Sequence, residues 1–75
     1  MNQSGMVEVF KTGITKKKVA RSLVRSLSVQ FPGYKINIDL ADRDKVLRIE
    51  SDRLFDVDQI IRFVQYQNVK IEVLA

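Results

Sequence analysis

A predicted β-hairpin is the feature that most constrains how this chain can fold. Apolar and polar side chains alternate strictly along residues 34–40, which is the period of a strand with one buried face. The polar residues 41–44 then indicate a turn. Residues 45–50 return with Leu47 and Ile49 on one face. The two runs together predict an antiparallel pair of strands.

A helix is predicted on each side of this hairpin. The first has apolar side chains at spacings of three and four: Val19, Leu23, Val24, Leu27 and Phe31. Thr15 is expected to cap its start, and Pro32 with Gly33 to stop it. The second has the same kind of stripe: Val57, Ile60, Ile61 and Val64. Asp56 is expected to cap this helix, and Asn68 to end it in a left-handed conformation.

The outermost segments are predicted to be strands. Residues 6–11 alternate, and we expect Val7 and Val9 to face the core, with Glu8 and Phe10 on the open face of the sheet. Residues 69–73 alternate in the same way. The order strand, helix, strand, strand, helix, strand predicts an α+β domain, a four-stranded antiparallel sheet with both helices on one face. We expect this single domain over residues 6–75, after a flexible N-terminus at residues 1–5.

The composition restricts the chemistry that such a domain can perform. The chain has no cysteine and no histidine, so it lacks thiolate ligands, disulfides and the usual general base near neutral pH. We therefore expect a non-catalytic protein without a cofactor. No apolar run is long enough for a membrane span, and the N-terminus is unlike a signal peptide, so a cytoplasmic location is expected.

Positive charge is concentrated in the first half of the chain. Residues 1–35 carry seven basic residues and one acidic residue, whereas residues 36–75 carry six and eight. Lys16, Lys17 and Lys18 stand at the start of the first helix, where cations oppose the helix dipole. Departures from a local rule are more common at functional positions. The run is therefore compatible with docking of an acidic partner and with a solvated helix surface, and both interpretations stay open at this point.

Over about residues 6–74 the chain resembles the heavy-metal-associated domain family, which consists of small ferredoxin-like domains, in element order, lengths and the spacing from the first loop into the first helix. The family places Met-x-Cys-x-x-Cys between the first strand and helix, with aliphatic residues four and eight positions after the second cysteine. Val19 and Leu23 match those aliphatic positions. Thr12 and Thr15 then stand at the two cysteines. The last strand, following Asn68, also resembles the family's ending.

The resemblance implies a degenerate metal site, because neutral hydroxyls at Thr12 and Thr15 bind soft ions very weakly. It also implies a protein-interaction module, since metallochaperones of the family meet an acidic partner domain through lysines around this helix. The implied contact residues are Lys16, Lys17, Lys18, Arg21 and Arg25. The alternatives are copper or zinc handling with ligands supplied by a partner, and anion or nucleic-acid binding by the basic helix.

Two further functions share the predicted topology. Acylphosphatases bind phosphate in the first loop with an arginine and a strand asparagine; Asn37 could serve as the asparagine, but the loop lacks the arginine. RNA-recognition motifs stack bases on aromatics of the two central strands, and Phe10 is the single aromatic there. We therefore expect neither enzymatic activity nor nucleic acid as the main partner.

Overall fold

Six helices and strands follow one another in the predicted order. A computed structural model describes residues 7–54 and 56–74, so the expected flexible segment 1–5 and the expected strand start at residue 6 lie outside the described residues. The elements are β1 (Val7–Thr12), α1 (Lys17–Gln30), β2 (Lys35–Asp39), β3 (Val46–Glu50), α2 (Val57–Tyr66) and β4 (Ile71–Val73). The predicted βαββαβ order is confirmed.

The strands form one antiparallel sheet in the order β2-β3-β1-β4. The hairpin strands β2 and β3 pair along their whole length, from Lys35 opposite Glu50 to Asp39 opposite Val46. Strand β1 lies between β3 and β4, so β1 and β3 are central and β2 and β4 form the edges. This is the ferredoxin-like α+β arrangement that the sequence predicts.

One face of the sheet holds the core beneath both helices. The central strands contribute Phe10, Leu47 and Ile49, each fully buried. Because Phe10 lies opposite Leu47 in the register, these side chains share one face. The helices add their own buried residues: Ala20, Leu23, Leu27, Ile60 and Val64. The prediction that both helices cover the same face is therefore confirmed.

The prediction of which β1 side chains point into the core is wrong. Phe10 lies in the core, whereas Val7 and Val9 are on the open face and Val7 is 44% exposed. Glu8, expected on the open face, is half-buried on the core side. Both faces of this strand carry apolar residues, so alternation does not choose between them. The structure buries the single large Phe10 ring opposite Leu47 and leaves the two smaller valines on the open face.

Helix α1 differs from its prediction at its N-terminal end. Leu23 and Leu27 are buried as predicted, but Ala20 takes the core position expected for Val19, which is 41% exposed. Helix α2 is as predicted at both ends. Asp56 Oδ1 accepts hydrogen bonds from the backbone N–H of Asp58 and Gln59, and Asn68 has a φ of 65°. Neither helix is long and apolar enough to cross a bilayer.

The facing of β1 can be tested by comparing Phe10→Ala with Val7→Ala. Phe10→Ala should lower the free energy of unfolding by about 3–5 kcal/mol, because it leaves a cavity under both helices. Val7→Ala should change it by less than about 1 kcal/mol, because Val7 is half exposed on the opposite face. Urea denaturation followed by circular dichroism measures both. A larger cost for Val7→Ala would contradict the observed facing.

Candidate functional site

The loop between β1 and α1 is attached to the hairpin through Thr12. The Thr12 side chain is buried, and its hydroxyl donates a 2.6 Å hydrogen bond to the backbone carbonyl of Lys45. The same oxygen accepts a bond from the backbone N–H of Ile14 at 3.3 Å. The Thr12 N–H donates to the carbonyl of Asp44. Thr12 is therefore occupied in joining two loops and does not face an open site.

Lys45 presents its carbonyl to Thr12 by adopting an unusual backbone conformation. Its φ is 49°, in the left-handed region that non-glycine residues seldom occupy. Its N–H donates to the carbonyl of Asp42, and its Nζ donates to the carbonyl of Leu40. The turn is thus held by its own bonds and by Thr12. The sequence offered no signal for this conformation beyond the polar character of the turn.

Two further contacts hold the loop against the rest of the fold. Gly13 donates its N–H to the carbonyl of Lys70, just before β4. A Cβ at Gly13 would lie 3.4 Å from the Lys70 Cβ, at the near limit of an ordinary contact, so the two segments run side by side. Ile14 inserts its side chain into the core with 3% exposure. The loop is therefore held by the segment before β4 and by the core shortly before α1 begins.

The expected capping role of Thr15 is wrong. Thr15 is exposed and makes no hydrogen bond with its side chain in the described part of the chain. The N-cap position falls on Lys16, which has an extended backbone and no side-chain cap bond. Helix α1 also has no acidic residue in its first turn. Its early N–H groups therefore lack the side-chain acceptors that Asp56 supplies to α2.

Five cations stand at the start and on the outer side of α1. They are Lys16, Lys17, Lys18, Arg21 and Arg25, here called the α1 cation set, and all five are exposed. Within the described residues none of them has a carboxylate within ion-pair distance. By contrast, Lys11 lies 3.9 Å from Asp44, and Arg48 lies 3.2 Å from Glu50. The predicted partner-binding residues thus lie together on one element.

A shallow, open groove lies beside two members of the α1 cation set, between α1 and the edge strand β2. Ala20 and Val24 of α1 and Ile38 of β2 line it, and its volume is about 540 Å³. Arg21 and Arg25 also line it, one helical turn apart. The sequence could not reveal this groove, because it depends on how α1 packs beside β2.

The structure does not bring together the residues that the other functions require. Phe10 is in the core, so it cannot stack a nucleotide base on the open face of the sheet. Asn37 lies on β2, which is separated from β1 and its loop by β3. Among the described residues, no group of three or more aspartates, glutamates, histidines or cysteines is placed to hold a metal ion. Asp39 and Asp42 instead accept hydrogen bonds from backbone N–H groups of the turn.

No protein-family model, curated protein sequence or solved structure gives a significant match to this chain.

The structural role of Thr12 can be tested by comparing Thr12→Val with Thr15→Val. Thr12→Val keeps the shape of the side chain but leaves the Lys45 carbonyl without its donor. It should lower the free energy of unfolding by about 1–3 kcal/mol. Thr15→Val should change it by less than about 0.5 kcal/mol, because the Thr15 side chain is exposed and makes no bond. Equal costs in urea denaturation would contradict these assignments.

Proposed function

We propose that this domain is a non-catalytic interaction module that docks an acidic protein surface through the α1 cation set. The observation that carries the proposal is the placement of these five exposed cations without a carboxylate partner among the described residues. In this proposal the domain resembles the heavy-metal-associated domains, uses its first helix as a contact element and lacks their metal-binding cysteines.

A comparison of the two helices supports this proposal. Helix α2 begins with Asp56 as its cap and Asp58 in its first turn, as the helix dipole favours. Helix α1 has Lys16 at its N-cap position and Lys17 and Lys18 in its first turn, with neither a side-chain cap bond nor an acid there. Each exposed cation at this end costs a few tenths of a kcal/mol. A carboxylate from a partner would remove that cost and pair with the lysines.

An acidic protein fits these features better than a nucleic acid does. The open face of the sheet carries Asp39 and Glu50 beside its basic residues, and in the described part of the chain it presents no aromatic ring. The exposed cations of α1 form one short set on one helix. This set is too short to contact many successive phosphates of a nucleic-acid backbone. Binding to acidic side chains needs only this limited contact area.

The metal-handling alternative receives no support from the loop. The Thr12 hydroxyl is already bonded to Lys45 and Ile14, and Thr15 offers a single neutral oxygen. A metal bound with ligands from a partner would have to displace the Thr12 bonds. Titration with Cu(I) or Zn(II), followed by NMR shifts at residues 12–15, tests this alternative directly.

Docking through the α1 cation set can be tested with two matched charge reversals. The variant Lys16→Glu, Lys17→Glu, Lys18→Glu should lose the proteins that the wild-type domain captures from a lysate of its source cells. The variant Arg43→Glu, Arg53→Glu, Arg62→Glu changes the net charge equally at exposed sites outside α1 and should keep them. Quantitative mass spectrometry measures the captured proteins. Equal capture by both variants would contradict the proposal.

The same lysine variant should be more stable than the wild type. Glutamates at the N-cap and first turn of α1 favour the helix dipole, whereas the lysines oppose it. We expect an increase of about 0.5–2 kcal/mol in the free energy of unfolding at low salt, and a smaller increase at high salt. Urea denaturation at the two salt concentrations measures this. A decrease in stability would show that the lysines hold the fold together in some other way.

A further inference from the structure

The edge strand β2 and the groove beside it form a surface that suits one kind of ligand. Strand β2 has a neighbour on one side only, so every second backbone N–H and C=O group points away from the sheet. The groove between β2 and α1 lies against this edge, with Ala20, Val24 and Ile38 as its apolar lining. Arg21 and Arg25 line the same groove from α1.

Of the two edge strands, β2 is the better template for adding a strand. It has five residues, whereas β4 has three. Its central residues Ile36, Asn37 and Ile38 carry no charge, and the strand contains no proline. Short edge strands, charges and prolines are the devices by which proteins prevent pairing at an edge. The centre of β2 lacks these devices.

The charge beside β2 selects an acidic occupant. Within the described residues, Arg21 and Arg25 have no carboxylate partner. A second copy of this chain, pairing through its own β2, would bring another pair of these arginines toward the same region and would be repelled. A partner segment with carboxylates would neutralise both arginines, and its methylene groups could cover Val24 and Ile38.

The spacing of the arginines predicts the pattern of the ligand. Residues four apart on a helix are separated by about 6 Å along its axis. Alternate residues of a strand, which point to the same face, are separated by about 6.6 Å. Carboxylates at alternate positions of an added strand therefore have about the same spacing as Arg21 and Arg25. Carboxylates at adjacent positions would point to opposite faces of the sheet.

We propose that β2 accepts an extended acidic segment of a partner protein as a fifth strand, with alternate carboxylates of that segment bound by Arg21 and Arg25. This inference rests on the proposed docking function and specifies the conformation and pattern of the partner. The backbone of β2 supplies main-chain hydrogen bonds, and the arginines supply selectivity for acidic side chains.

Peptide titrations followed by ¹⁵N-HSQC spectra test the inference. The probe is an acetylated, amidated peptide that repeats Thr-Glu, which places every glutamate on one face of a strand. Its controls repeat Thr-Thr-Glu-Glu, which has the same composition, and Thr-Lys, which reverses the charge. We expect the Thr-Glu peptide to bind at least about fivefold more tightly than either control. Equal affinity for the two glutamate peptides would overturn the proposed spacing.

The location of the bound peptide separates strand addition from simple charge attraction. Binding should shift the amides of β2 together with those around Arg21 and Arg25, and should slow hydrogen exchange in β2. Two further peptides carry N-methyl groups on every second amide, one on the odd-numbered and one on the even-numbered residues. One of these two peptides should not bind, because its methyl groups block the main-chain hydrogen bonds to β2. Shifts confined to α1 would overturn strand addition while leaving the docking function intact.

Matched variants complete the test. The double variant Arg21→Glu, Arg25→Glu should weaken binding of the Thr-Glu peptide by about tenfold or more. The double variant Arg53→Glu, Arg62→Glu makes the same charge change outside the groove and should weaken it by less than about threefold, with that loss removed by salt. Equal losses would overturn the proposed role of the arginines. Tighter binding of a uridine oligomer than of the peptide, or pairing of two copies through β2, would overturn the proposed occupant.

Discussion

Burial of Phe10 is the constraint on which the rest of this structure depends. The ring is fully buried on the central strand β1, opposite Leu47 of β3. Because side chains alternate along a strand, an inward Phe10 also turns Thr12 inward. Thr12 then meets the hairpin turn and bonds to the carbonyl of Lys45. Thr12, which the resemblance places at a metal-ligand position, therefore joins the loop before α1 to the hairpin turn.

The same constraint determines where α1 begins and what its first turn presents. Thr12, Gly13 and Ile14 are held by the hairpin, by Lys70 and by the core, so the chain can enter the helix only after them. The cap position then falls on Lys16, and lysines occupy the first turn. A helix start that is fixed by packing has less need of a favourable cap. Unfavourable charges are therefore tolerated at this end of the helix.

The two helices show when a local sequence signal predicts a helix start correctly and when it does not. Asp56 caps α2 as predicted, because its carboxylate can reach the early N–H groups whatever the surrounding fold. Thr15 does not cap α1, because the N-cap position falls one residue further on, at Lys16, after residues 12–14 that long-range contacts hold. Ala20 takes the core position that the spacing predicts for Val19. A local signal fails where long-range contacts fix the backbone first.

The sequence by itself determined the element order, the hairpin and the ferredoxin-like topology, because hydrophobic periodicity is a local property that each segment carries. It also determined which residues of α1 are cationic. Only the tertiary structure decided which face of β1 is buried, since both faces of that strand carry apolar side chains. It alone placed Arg21 and Arg25 beside the edge of β2. That groove lies between segments distant in the sequence, and no periodicity within either segment encodes it.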